Sequence, residues 1–168
     1  RRDPLTQLLN KLEVQKEVTR YIEENPNKCS VLFLIDIDNF KGINDNFGHT
    51  FGDTVIMDMA KQIQSQFRMN DIVGRVGGDE FLVFMKNTTV EKAEEKAKLL
   101  CHSLEKKYMG QKLHYRLSAS IGMAVYAKDG DNYRTLFEKA DHAMYRAKQA
   151  GKDGYQLAQE EDCGPVKN

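Results

Sequence analysis

Five consecutive apolar residues, Val31-Leu32-Phe33-Leu34-Ile35, run directly into Asp36-Ile37-Asp38. The run is too short for a core helix and is bounded by a turn signal at Asn25-Pro26-Asn27 and by carboxylates, so it predicts a buried strand over Cys29 to Ile37. Period-two alternation puts Asp36 and Asp38 on one face and Ile37 on the other. In isolation an Asp-x-Asp of this kind serves equally as a cap for the next helix. An EF-hand loop is excluded, because Phe40 stands where that loop wants Asp or Asn and no Gly follows it. A hard cation such as Mg²⁺ is compatible, since it needs only one or two carboxylates and takes its other oxygens from water and substrate phosphates.

The remaining elements are arranged around that strand. Leu8, Leu12, Val18, Tyr21 and Ile22 recur at helical spacing, which predicts a first helix ending before Glu23-Glu24-Asn25-Pro26. Asp38-Asn39 are good capping residues for a short helix from Phe40 to Phe47, closed by Gly48. A longer helix is expected from Asp53 or Thr54 to about Phe67, with Asp53 a suitable N-cap and Val55, Ile56, Met59 and Ile63 inside. Ile72 to Val76 and Phe81 to Met85 predict two strands around Gly77-Gly78, a pair suited to the positive φ of a tight hairpin turn. Val90 to Tyr108 predicts an amphipathic helix, Leu113 to Tyr126 one long strand region, Tyr133 to Ala150 a helix ended by Gly151, and Tyr155 to Leu157 an edge strand. The order α β α α β β α β α β in 168 residues predicts one domain over 1–158 and a polar tail over 159–168. Its expected class is α/β (α+β), with a central mixed, largely antiparallel five-stranded sheet flanked by helices, because a tight hairpin sits in the middle of the order.

Two further constellations carry chemistry. In Gly77-Gly78-Asp79-Glu80, adjacent acids at a hairpin tip repel one another and nothing in a hairpin requires them. A cation there accounts for the acids, and close approach of a ligand accounts for the glycines. A plain structural turn is the alternative. Between two helical stretches lie Asn44, Asp45, Gly48, His49, Gly52 and Asp53. They are either a capped loop or a base pocket, in which an Asn amide and an Asp carboxylate converge on one polar edge. Guanine offers N1–H and N2–H₂ donors that a carboxylate accepts, and adenine does not, so such a site rejects adenine.

Composition excludes several classes. The 25 Lys+Arg balance the 25 Asp+Glu, which argues against a basic nucleic-acid binder and leaves no nucleic-acid partner expected. Mean hydropathy is −0.61 and the longest plain apolar run is Val31 to Ile35, so neither a transmembrane span nor membrane contact by this domain is expected. Cys29, Cys101 and Cys163 form no Cys-x-x-Cys and read as free thiols of a cytoplasmic domain. P-loop, Gly-x-Ser-x-Gly and paired metal-ligand histidine patterns are not found.

Taken together, Phe33 to Asp45, Gly48-His49, Gly52-Asp53 and Arg75-Val76-Gly77-Gly78-Asp79-Glu80-Phe81 closely resemble the GGDEF domain family of diguanylate cyclases. The resemblance extends to Asp3-Pro4-Leu5-Thr6 with Asn10, Ser120-Ile121-Gly122, Ala140-Asp141, Met144-Tyr145, Ala147-Lys148 and Gly151-Lys152, about residues 2 to 157. It implies a palm-like, nucleotidyl cyclase-like fold and condensation of two GTP to cyclic di-GMP with release of two pyrophosphates, across a homodimer whose subunits each hold one GTP. Carried over by position, Asp36, Asp79 and Glu80 are the catalytic and metal carboxylates, with the Ile37 carbonyl as a further ligand of two Mg²⁺ (or Mn²⁺) ions per half-site. Asn44 and Asp53 contact guanine. Lys41, Lys148 and Lys152, with backbone N–H groups near Phe40, hold the phosphates; Gly77 and Gly78 let the hairpin pass close to the nucleotide.

The resemblance also places Arg68-Met69-Asn70-Asp71 at the family's Arg-x-x-Asp product-inhibition site, with Arg68 gripping cyclic di-GMP and Asp71 orienting it. An exposed Arg at a helix end followed by a turn-opening Asp is the plain alternative. Gln7 replaces the glycine usual after the early Leu-Thr pair, Lys152 stands where Arg is common, and Asp153 where Asn is usual. The competing readings are a silent module that binds GTP or cyclic di-GMP, and a polymerase palm; the guanine pocket and the lack of a basic groove speak against the latter. The start at Arg1 without an initiator Met reads as a piece of a longer polypeptide, with a regulatory domain expected upstream and membrane anchoring compatible through that part.

Overall fold

The computed structural model describes residues 1–109, 114–164 and 166, and its centre is the acid-ended strand. Strand β1 (Val31–Ile37) pairs antiparallel on one side with β3 (Glu80–Met85) and on the other with β6 (Ala119–Val125). With β2 (Ile72–Arg75) and β7 (Gly154–Leu157) these form a five-stranded sheet in the order β2-β3-β1-β6-β7, parallel only between β6 and β7. The expected mixed, largely antiparallel sheet is therefore present.

Both faces of β1 are covered, which is why its sequence is apolar without alternation. Val31, Phe33, Ile35 and Ile37 belong to one core cluster with residues of α3 (His49–Ser65) and α4 (Val90–Leu104). Leu32 and Leu34 belong to a second cluster with α1 (Lys11–Glu24) and α5 (Tyr133–Gln149). A one-residue slip would exchange the two rows, so register is strongly specified. It carries Asp36 to the end of the α5-facing row, opposite Glu80 on one side and Ser120 on the other.

Four expectations are corrected. The helix expected over Val90 to Tyr108 stops at Leu104; Lys106–Met109 is a strand, β4, paired antiparallel with β5 (His114–Leu117). The single strand expected from Leu113, a residue outside those described, to Tyr126 is consequently two. The break is at Ser118, whose carbonyl accepts from Asp38 N–H at 2.8 Å and whose hydroxyl donates to Asp38 Oδ2 at 2.8 Å. Beyond that point β1 has turned away into α2 (Phe40–Phe47), and the chain finds its partner in β4. Next, α3 begins at His49, so Asp53 lies within the helix and caps nothing. Gly52 does not break it, because that glycine is buried against the Asn44 side chain and the Phe40 ring, where α2 and α3 touch. Finally, Gly77 and Gly78 do not use positive φ. Their loop is shaped by Arg75, which donates to both their carbonyl oxygens at 2.7–3.2 Å, and by Val76 N–H on Glu80 O at 2.9 Å.

The remaining bounds lie close to expectation: α1 begins at Lys11 with Asn10 accepting from Glu13 N–H, and α2 and α5 end at Gly48 and just before Gly151. From 159 onward the polar segment is tied to α5, with Asp162 buried against Arg146 at 2.6 Å and Lys139 donating to Gln159 O and Glu160 O. Cys29, Cys101 and Cys163 are free thiols. Among the described residues no helix is long and apolar enough to cross a membrane.

Candidate active site

The site is built where β1 ends. Asp36 on β1 and Glu80 on β3 are directly opposed, and Asp79 immediately precedes Glu80, its carbonyl accepting from Ile37 N–H at 3.1 Å. Like charges directly across an antiparallel pair destabilise a sheet, so this arrangement is carried against a local cost. Lys148, on the face of α5 that packs over β1 and β6, lies 2.8 Å from Asp36 Oδ2 and 3.5 Å from Asp38 Oδ1. That reach depends on Gly122 in β6: a Cβ there would overlap the Ala140 carbonyl and the Met144 backbone, so α5 lies flush on the sheet.

The electrostatics follow from this crowding. Burial, outweighing the Lys148 cation and reinforced by Asp79, pushes the Asp36 carboxyl up to about 6. Burial, with Asp36, Asp141 and Asp79 around it, pushes Glu80 up to about 7. Burial alone would lower Lys148, but Asp36 and Asp38 raise it and keep it charged. A cavity of about 470 Å³ opens here, lined by Asp36, Glu80, Asp141, Met144, Lys148 and others.

A divalent cation fits this donor set on two observations. Among the described residues Asp36 Oδ1 is buried with no hydrogen-bond partner, and Glu80 stands directly across from Asp36 with Asp79 beside it in sequence. Among the described residues no three His, Cys, Asp or Glu side chains are grouped closely enough to hold an ion by themselves.

Asp38, read from the sequence as a helix cap, is instead 1% exposed and points into the fold. It accepts from Ser118 Oγ at 2.8 Å, Ser120 Oγ at 2.6 Å and Asp153 N–H at 3.0 Å, joining β1, β6 and the turn after α5. Period-two alternation correctly set it on the face of Asp36, but nothing local signalled its three partners. Arg75 was also missed: its guanidinium joins the Gly77 and Gly78 carbonyls to Asp3, 3.2 Å away, in a largely buried pair. Although burial alone would raise it, hydrogen bonds from Thr6 and Arg75 hold the Asp3 carboxyl below its usual value.

The other expected positions fall around this centre. Asn39, at left-handed φ 57°, opens α2 without a side-chain cap bond, leaving the Phe40 and Lys41 N–H groups at the helix's open end. Lys152 Nζ donates to Asn39 Oδ1 at 2.6 Å, and Lys41 forms a solvent-exposed i,i+4 pair with Asp45 at 3.2 Å. Asn44 packs on Gly52, one position before the exposed Asp53, so amide and carboxylate stand on adjoining helices. Arg68 and Asp71 lie elsewhere, on cavities of about 420 and 270 Å³ that share no lining residue with the Asp36 cavity. Buried Asp71 accepts from Arg68 N–H and its guanidinium at 3.1–3.4 Å and from Lys86 N–H at 2.9 Å, holding a half-exposed Arg68 in place.

Residues 1–154 match the family described as "Diguanylate cyclase, GGDEF domain". Over 156 residues the chain is 35% identical to the bifunctional diguanylate cyclase/cyclic di-GMP phosphodiesterase MucR of Pseudomonas aeruginosa, covering 91% of this chain and 23% of MucR. It is 38% identical over 138 residues to diguanylate cyclase A of Treponema denticola, covering 80% of this chain and 36% of that protein. It therefore spans about a quarter to a third of these relatives' lengths. Among solved structures, the GGDEF domain of TpbB (YfiN) from Pseudomonas aeruginosa superposes with a TM-score of 0.90 at 32% identity, covering 96% of each chain.

Proposed function

The chain belongs to the GGDEF domain family of diguanylate cyclases, and from that premise we propose that it condenses two GTP into cyclic di-GMP, releasing two pyrophosphates. The observation that carries this reading is the opposed pair Asp36–Glu80 with Asp79 beside it, kept at the cost of mutual repulsion and with Asp36 Oδ1 unpartnered. A module that only bound nucleotide would gain nothing from it. Asp36, Asp79, Glu80 and the Ile37 carbonyl hold Mg²⁺ or Mn²⁺, two ions per half-site. Bound there, the metal supplies Lewis acidity to the attacking 3′-hydroxyl and charge neutralisation to the leaving pyrophosphate.

The chain's own groups do the rest. Asn44 and Asp53 select guanine from adjoining helices. The N–H groups of Phe40 and Lys41, with the Lys41 and Lys152 ammonium groups, orient the phosphates, and Lys148 shares its charge between Asp36 and the nucleotide. Gly78, with nothing within 4 Å of where a Cβ would stand, leaves room for the nucleotide at the hairpin tip. The hydroxyl and the α-phosphate it attacks belong to two nucleotides, so two copies of the domain face one another. Arg68, oriented by Asp71, binds the cyclic product and restrains turnover. Residues 1–158 act together as the catalytic domain.

The test is GTP turnover with and without Mg²⁺, compared with Asp79→Ala. Wild type is expected to consume GTP only with the divalent cation, and the folded variant to lose at least about 100-fold in rate, the scale of removing one charge-stabilising group. Equal turnover by the variant would overturn the assignment.

A further inference from the structure

We propose that Tyr115 is a positioning residue for the substrate phosphates: its hydroxyl fixes the Asn39–Phe40 peptide so that the Phe40 N–H faces the nucleotide. The inference rests on the reading above that the phosphates lie at the start of α2. Tyr115 stands on β5, outside the core sheet, and its hydroxyl donates to the Asn39 carbonyl at 2.9 Å. Gly42 N–H donates to the same oxygen at 3.0 Å, so both lone pairs are engaged. The carbonyl of Asn39 and the N–H of Phe40 belong to one planar trans peptide and point in opposite directions. Holding the oxygen toward Tyr115 therefore aims the N–H away from it, into the open end of α2.

The turn needs such a hold. Asn39 has φ 57° and ψ 31°, a left-handed conformation that asparagine tolerates better than most L-residues and that its surroundings hold in place. Lys152 restrains the Asn39 side chain; among the described residues, its carbonyl is held by Tyr115 and the helix's own first turn. The Tyr115 ring is itself located by an edge-on contact with Phe47, ring centroids 6.2 Å apart at 89°. Its path to Asn39 crosses Gly42, where an added Cβ would overlap the hydroxyl oxygen. Gly42 in the first turn of α2 thus gives up helix propensity and leaves the hydroxyl its space.

Tyr115→Phe and Gly42→Ala test this from opposite sides. The first keeps the ring and deletes the hydroxyl; the second strengthens the helix and displaces the hydroxyl. In both, the KM for GTP and the inhibition constant of inorganic pyrophosphate are expected to rise together by about five-fold, the scale of one hydrogen bond. The kcat is expected to stay within about two-fold of wild type and the melting temperature within a few degrees for Tyr115→Phe. Wild-type KM and pyrophosphate inhibition in a folded Tyr115→Phe would overturn the inference, as would a loss confined to kcat. If the wild-type domain shows no saturable GTP turnover, the reading of the site falls as well; if it does and Tyr115→Phe matches it, only the role of Tyr115 falls.

Discussion

At the scale of single residues, the fold carries local costs in two places with different meanings. Gln7 adopts φ 62° in the turn that lets Arg1 O and Asp3 pair with Asn10 and Leu8, a conformation suited to glycine and expensive for glutamine. Gln7→Gly is expected to stabilise the domain by about 0.5–1 kcal/mol, read as a rise of roughly 1–4 °C in melting temperature without change in turnover. Glu80 is costly because it is buried among other carboxylates. Its proton affinity rises from an ordinary 4.5 to about 7. Between those values the unfolded chain has released a proton that the folded chain retains, so stability falls as pH rises through that window. Asp36 acts in the same direction from 3.8 to about 6. Without divalent cations, the melting temperature of wild type is expected to decline from about pH 4 to about pH 7. Glu80→Gln is expected to flatten that decline, gain a few degrees at about pH 7.5 and lose cyclase activity. Differential scanning fluorimetry across pH reads this, and a wild-type profile that rises over the same range contradicts it.

At the scale of elements, the site depends on α5 lying flush on β1 and β6 and on Asp38 joining three segments beneath it. Gly122→Ala places a methyl group against α5 backbone, which cannot rotate away. It is expected to cost about 1–3 kcal/mol by overpacking and to lower cyclase activity by moving Lys148 off Asp36, with thermal melts and turnover measured together. The elements most legible in the sequence were those whose partners did not matter. The unbroken apolar run Val31 to Ile35 declared a strand covered on both faces, and the acids at Asp36 and at Asp79-Glu80 come together at its end. The illegible features depended on distant pairing. Lys106–Met109 continues a helical pattern and becomes a strand only because His114–Leu117, displaced from β1 at Ser118, needs a partner. Gly52 resembles a helix breaker, yet is helical because Asn44 lies against it. Asp38 resembles a cap, and its burial is set by two serines about 80 residues later.

At the scale of the whole molecule, opposed local fields lie beneath a net charge of zero: carboxylates converging from a strand end and a hairpin, and lysines approaching from α2 and from the end of α5. The proposed reaction joins two nucleotides, one held by each of two copies. That reaction therefore requires a second copy to bring the attacking hydroxyl to the α-phosphate. The most direct measurement is the initial rate of cyclic di-GMP formation, identified by mass spectrometry, as the domain is diluted in the presence of GTP and Mg²⁺. Cyclic di-GMP and two pyrophosphates are expected, with a rate that falls more steeply than protein concentration once the dimer dissociates. A domain that binds GTP but forms no cyclic product, or a rate strictly proportional to concentration through that range, would contradict the proposed reaction.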